Sequence, residues 1–214
     1  MEQKSIYKQV PKYRDLNLYQ KAEVLVLLTD VFCKRFLPLY GDRTVDQMNQ
    51  AARSGKQNIV EGCEAAMTSC ETEIKLVNVA RASFQELRED YEDYLKKHSL
   101  QVWDNHHPRY GAMLDFCRQN NNFDAYRPLA DKLDAEAFCN MALTLLHFTD
   151  KMFDSYLKHL EDRFKTEGGI KERMHAVRTG YRQEIDDRLR TLEEENQQLK
   201  VENQELKRRL GLIR

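Results

Sequence analysis

Apolar residues recur every three or four positions in four long stretches of this chain, and each stretch predicts an amphipathic helix. In the first, Leu18, Ala22, Leu25, Leu28, Phe32 and Phe36 draw one stripe. A helix is expected there from about Asn17 to Phe36, opened by the capping spacing Asn17-x-x-Gln20 and ended by Pro38 and Gly41. The second is expected from Thr44, with Thr44-x-x-Gln47 as its cap, to about Glu61, with Gly62 at its C-terminal end. The third starts at Thr68-x-x-Glu71 and carries Ile74, Val77, Phe84, Leu87, Tyr91 and Tyr94 or Leu95 towards His98. The fourth runs from an N-cap at Asp134 to about Phe164, lined by Phe138, Met141, Leu145, Phe148, Met152, Tyr156 and Leu160. Between the last two the pattern breaks. In residues 99–133, Pro108 and Pro128 flank one short apolar piece, 110–117, and Asn120-Asn121-Asn122 reads as loop, so a long connection with one short helix is expected.

Four long amphipathic helices with short joins between the first three predict an all-α fold. Its natural form is an antiparallel up-down four-helix bundle over 15–167, preceded by an irregular basic segment over 1–14. The second helix has the most distinctive surface. Ala51, Ala52 and Gly55 put so little bulk on one face that a neighbouring helix can approach closely. Arg53, Lys56, Gln57, Asn58 and Glu61 edge that face, and buried polar groups need partners. The small residues are therefore expected to form an oligomer contact.

After Gly180 the period changes. Ile185, Leu192, Leu199, Leu206 and Ile213 are seven apart, and Leu189, Asn196, Asn203 and Leu210 stand three before the last four of them. This is a heptad repeat over 183–214 with d positions apolar and a positions Leu, Asn, Asn, Leu. In a parallel pair Arg188 meets Glu193, Glu195 meets Lys200 and Glu202 meets Lys207, all attractive, while Arg209 against Arg214 repels. Asparagine at a favours two parallel strands in register. Leu189, Leu192, Asn196, Leu199, Asn203, Leu206 and Leu210 are thus expected at a coiled-coil interface, the alternative being a lone amphipathic helix packed on its own bundle.

Charge changes the picture locally. The 214 residues carry a net charge of -1, which gives no bulk electrostatic case for nucleic acid or membrane. Yet Lys4, Lys8, Lys12 and Arg14 against Glu2 make the first segment +3. Arg163, Lys165, Lys171, Arg173, Arg178 and Arg182 against Glu167 and Glu172 give +4, mostly in a basic segment over 168–182. Such segments either meet phosphate or are solvated helix faces. No run approaches 18 apolar residues, and no apolar segment follows the first lysines, so neither a membrane span nor a signal peptide is expected. Cys33, Cys63, Cys70, Cys117 and Cys139 are odd in number without CxxC spacing, and are expected as reduced thiols in a cytoplasmic protein.

Recognisable catalytic chemistry is missing: no phosphate loop, GxSxG or HExxH occurs. His106-His107 with Cys117 lacks a fourth metal ligand, and no pair of Glu-x-x-His motifs supports a di-iron site. Glu61 reads as a hydrogen-bond acceptor for a neighbouring helix or chain, since a catalytic carboxylate there needs a deep polar pocket. Tyr13, Trp103 and Tyr110 can stack bases or pack in a core or interface. No enzyme activity, cofactor or metal is expected.

Several of these positions also form a pattern. Asp15-Leu16, Tyr19-Gln20-Lys21-Ala22, Gln47-Met48, Ala51-Ala52, Ser54, Asn58-Ile59, Glu61-Gly62, 78–83 (NVARAS) and Glu86-Leu87 resemble the bacterial four-helix bundle proteins. That family includes proteins encoded in 23S ribosomal RNA intervening sequences and is similar to the accessory variability protein of diversity-generating retroelements. The likeness covers about residues 12–98, and 168–181 resembles a C-terminal suffix of one subgroup. It implies a homo-oligomer, pentameric in described members, and binding of RNA or DNA and a reverse transcriptase through basic surface. The chain departs from the pattern at Asn49-Gln50, where an arginine pair is common, and at Cys63-Glu64-Ala65, which lacks a following arginine. Arg53 and Lys56 restore charge nearby. A two-stranded tail does not match a five-fold bundle, so pentamer and dimer both stand.

Taken together, the chain is expected to be a non-enzymatic homo-oligomeric scaffold. It would hold nucleic acid through Arg53, Lys56, Arg81, Lys171, Arg173, Arg178 and Arg182. The alternative is a protein-interaction adaptor without nucleic-acid affinity.

Overall fold

A computed structural model describes residues 12–38, 43–167 and 170–210, and every regular element among them is helical. A single 3₁₀ turn, Tyr13–Asp15, precedes seven helices: α1 (Asn17–Phe36), α2 (Arg43–Ala65), α3 (Cys70–Lys97), α4 (Tyr110–Gln119), α5 (Phe123–Ala130), α6 (Ala135–Glu167) and α7 (Ile170–Arg209). The four apolar stripes correspond to α1, α2, α3 and α6. Helices α1 to α6 belong to one compact unit and α7 to another, and each unit is described by itself.

In the first unit α1 packs on α2, α2 on α3, α3 on α6 and α6 on α1. Paired positions run in opposite senses: Gly62 faces Val77 while Gly55 faces Phe84, and Glu73 meets Arg163 while Arg81 meets Asp150. The α2–α3 and α3–α6 contacts are therefore antiparallel. All four helices contribute to one core, where Leu25, Met48, Ile59, Leu87 and Phe153 are fully buried. Phe32 is the hub of its aromatic part, with ring centroids 4.9 Å from Tyr91, 4.9 Å from Tyr94 and 5.6 Å from Phe138. Offset aromatic pairs at such separations add to simple burial.

Helix ends differ in detail from the expectation. Leu16, not Asn17, is the N-cap of α1, and the Gln20 side chain donates back to the Arg14 carbonyl at 3.0 Å. Helix α2 already includes Thr44 and continues through Gly62 to Ala65. Gly62 lies at a close helix contact and does not end the helix, since a Cβ there would stand 3.3 Å from Val77 Cγ2. The cap of α3 is Ser69, whose hydroxyl accepts from the Thr72 N–H at 3.1 Å, while Thr68 turns back to the Ala65 carbonyl. Where two hydroxyl residues adjoin, spacing alone does not choose between them. At α6 the expectation holds: Asp134 Oδ1 accepts from the Ala137 N–H at 2.8 Å.

The connection 99–133 contains two short helices, α4 and α5, instead of one, with Pro128 inside α5. The cue lies elsewhere in the chain. Lys21, fully buried on the apolar stripe of α1, donates from Nζ to the carbonyls of Cys117 at 2.6 Å and Asn120 at 3.2 Å. These are last-turn groups of α4, so a cation satisfies orphan carbonyls at the negative end of the helix. Tyr126 of α5 donates to the same Asn120 carbonyl at 2.8 Å. Trp103 is buried against α6, with its backbone N–H on Asn140 at 2.7 Å and its indole N–H on Glu136 at 2.9 Å. His107 stacks on its ring at 3.9 Å. Trp103 therefore anchors the connection and offers no free face for a base.

Candidate assembly surface

Helix α7 is one uninterrupted rod, so the basic segment and the heptads, expected as separate pieces, share a single helix. The heptad row lies uncovered along it: Leu192 is 51% and Leu199 63% exposed, and Leu189, Leu206 and Leu210 are similarly bare. Asn196 and Asn203 are exposed in the same row. Ile213 and Arg214 lie outside the described residues. A line of large apolar side chains in water marks an interaction surface. The flanking charges behave consistently with that. Ion pairs within the helix use Arg190 with Glu194 and Arg209 with Glu205. Arg188, Glu193, Glu195, Lys200, Glu202 and Lys207 have no ion pair among the described residues, and these are the six that match across a parallel pair.

The other expected oligomer contact is used up inside the chain. Ala51, Ala52 and Gly55 are all buried within the first unit. A Cβ on Gly55 would stand 2.6 Å from Phe84 Cε2. Beside it Ser54 and Ser83 share a hydrogen bond at 3.1 Å, and Asn58 donates to the Ser54 carbonyl at 2.8 Å. The thin face thus serves a close intrachain crossing and is not open to a second copy.

The expected cations divide in the same way. Arg81 is spent: its Nε lies 2.8 Å from Asp150 and a terminal nitrogen 2.8 Å from Asp154, which neutralises its charge. Arg53 is exposed and Lys56 half-buried, neither in an ion pair among the described residues. Their helix, however, borders an acidic groove of about 400 Å³ between α2 and α3, lined by Gln47, Gln50, Glu86, Glu89, Asp90 and Asp93. Burial, with Asp93, Glu86 and Glu89 nearby, pushes the Asp90 carboxyl above its ordinary pKa. An excess of carboxylates there repels phosphate. Lys171, Arg178 and Arg182 of α7 are exposed, and the Arg173 side chain lies outside the described residues. Arg53, Lys56 and Arg81 belong to the first unit, and Lys171, Arg178 and Arg182 to the second.

Reactive-looking groups are likewise in structural use. Glu61 is exposed and accepts from Gln57 of its own helix at 3.2 Å. All five cysteines are buried and outside any disulfide, and burial pushes the Cys117 thiol up to about 12. Thiols so disfavoured as thiolates are poor nucleophiles. Among the described residues no group of three or more His, Cys, Asp or Glu gathers as a metal site. One polar cluster was hidden in the sequence: Glu73, fully buried, accepts from Tyr156 at 2.9 Å and pairs with Arg163. Its signal was a carboxylate between Cys70 and Val77 on the buried stripe of α3.

No family model, curated protein or solved structure matches the chain. The likeness of residues 12–98 to the four-helix bundle proteins rests on the motifs quoted above.

Proposed function

We propose that this chain is a non-enzymatic scaffold that assembles with copies of itself. In this reading α1, α2, α3 and α6 form an antiparallel four-helix bundle, and α7 pairs in parallel with α7 of a second copy. One observation carries it: an exposed heptad row whose six matching flanking charges make no ion pair among the described residues. Asn196 and Asn203 at a set the register, each facing its own copy across the twofold. With only about four heptads and two asparagines, the coil is marginal and depends on the whole chain for its strength. Full-length protein is expected to be a dimer or a multiple of it by light scattering. Leu192→Asp with Leu199→Asp should remove that step while helix content from the bundle persists. A full-length monomer at tens of micromolar would sink the reading.

A second reading, association with RNA or DNA, is favoured by Lys171, Arg178 and Arg182, which stand exposed at the start of α7 with no ion pair among the described residues. Binding would be sequence-independent, and log K would fall linearly with log salt. Lys171→Gln, Arg178→Gln and Arg182→Gln together should flatten that slope by about three, one for each phosphate left without its cation. An unchanged slope would remove these residues from the interface. No detectable binding by the parent protein leaves an adaptor, whose protein partner the family resemblance would make a reverse transcriptase.

A further inference from the structure

The heptad phase of Ile185, Leu192 and Leu199 carried towards the start of α7 falls on Arg178 and Lys171, and that of Leu189 falls on Arg182 and His175. Strict continuation would press each of these against its own copy on the twofold. The apolar residues take another course. Ile170, Met174, Val177 and Tyr181 are spaced by four, three and four, and join Ile185 and Leu189 by two further steps of four. Because α7 is unbroken through this region, the two courses are distinct faces of one rod. At about 100° per residue, the upstream apolar residues Ile170, Met174, Val177 and Tyr181 fall within an arc of roughly 60°. Lys171, Arg178 and Arg182 lie roughly 70–110° round from the centre of the upstream row.

Met174 is 51% and Tyr181 64% exposed, as bare as the leucines they continue, while Ile170 and Val177 between and before them are half-buried. We infer that the self-pairing seam extends along the whole of α7 from Ile170, through Met174, Val177 and Tyr181. The occupant of the row is the same row on a second copy of this chain. The inference rests on the proposal that α7 pairs with itself in parallel. Three successive steps of four, from Val177 to Leu189, locally unwind the left-handed supercoil, a phase change that coiled coils absorb. The rotation buries apolar side chains and carries the cations to the flank, where water solvates them. The strict heptad would bury unpaired cations, which is costly. The seam so drawn turns a marginal coil into a longer one, and leaves Lys171, Arg178 and Arg182 along its edge.

Single cysteines in the full chain test this by oxidative cross-linking, since the five native thiols are buried. Leu192→Cys and Val177→Cys are expected to link copies at comparable rates, and Arg178→Cys roughly tenfold more slowly, because its sulfur stands away from the twofold. Linking at Leu192→Cys and Arg178→Cys without Val177→Cys would overturn the inference in favour of the strict heptad. Linking at Leu192→Cys alone would overturn it by showing that the helices diverge before Gly180. Failure at Leu192→Cys itself would overturn the pairing of α7, and the longer seam with it.

Discussion

Replacing Gly55 with alanine is expected to lower the unfolding free energy by about 1–3 kcal/mol, although alanine is the better helix former by about 1 kcal/mol. The added methyl would lie 2.6, 2.8 and 2.9 Å from three atoms of the Phe84 ring. That ring is buried and rests against Phe153, with centroids 6.0 Å apart, so it cannot swing clear without disturbing α6. The strain must be taken up by separating α2 from α3. Pairing Gly55→Ala with Phe84→Leu should cost less than the sum of the two single changes, because the smaller side chain vacates the space. Gly180→Ala is the control: nothing lies within 4 Å of its position, and it should raise helix stability by a few tenths to 1 kcal/mol. Urea unfolding of the four variants decides the matter. A Gly55→Ala protein more stable than the parent would show that α2 and α3 are not in close contact there.

Arg163→Leu should cost about 3–5 kcal/mol, because it strands a buried carboxylate. Glu73 has no exposed surface, and its two oxygens are held by the Tyr156 hydroxyl at 2.9 Å and by the Arg163 guanidinium. Arg163 also reaches the Cys70 sulfur at 3.6 Å, so the group joins the start of α3 to the last turns of α6. Without the guanidinium, the Glu73 charge has one neutral donor left in a dry site. Adding Glu73→Gln should recover much of the loss, since the charge is then gone and Tyr156 keeps a hydrogen-bond partner. Chemical denaturation of the single and double variants measures this directly. A cost below about 1 kcal/mol for Arg163→Leu would mean that water reaches the carboxylate.

The ease of reading differed among residues for physical reasons. The stripes of α1 and α6 and the cap at Asp134 were plain, because each depends on neighbours within a few positions. Charged residues on apolar stripes were not. Lys21 and Glu73 sit where a core residue belongs, and their partners come from distant segments, such as the Cys117 carbonyl 96 positions away. Helices α4 and α5 are too short to show a convincing period, and Pro128 argued against the second. Arg81 looked free because Asp150 lies 69 positions further on. The heptad row from Ile185 to Leu210 was legible, since a heptad is a repeat of the sequence itself.

By itself the sequence determined how many long rods the chain makes and which face of each is apolar, because helical periodicity is local geometry repeated. Only the tertiary structure decided what each face meets. It set Phe84 of the same chain over Gly55, Asp150 and Asp154 around Arg81, and Lys21 against the end of α4. A side chain advertises its size and charge along the chain, but its partner is chosen by close packing between helices far apart in sequence, and no local pattern records that choice.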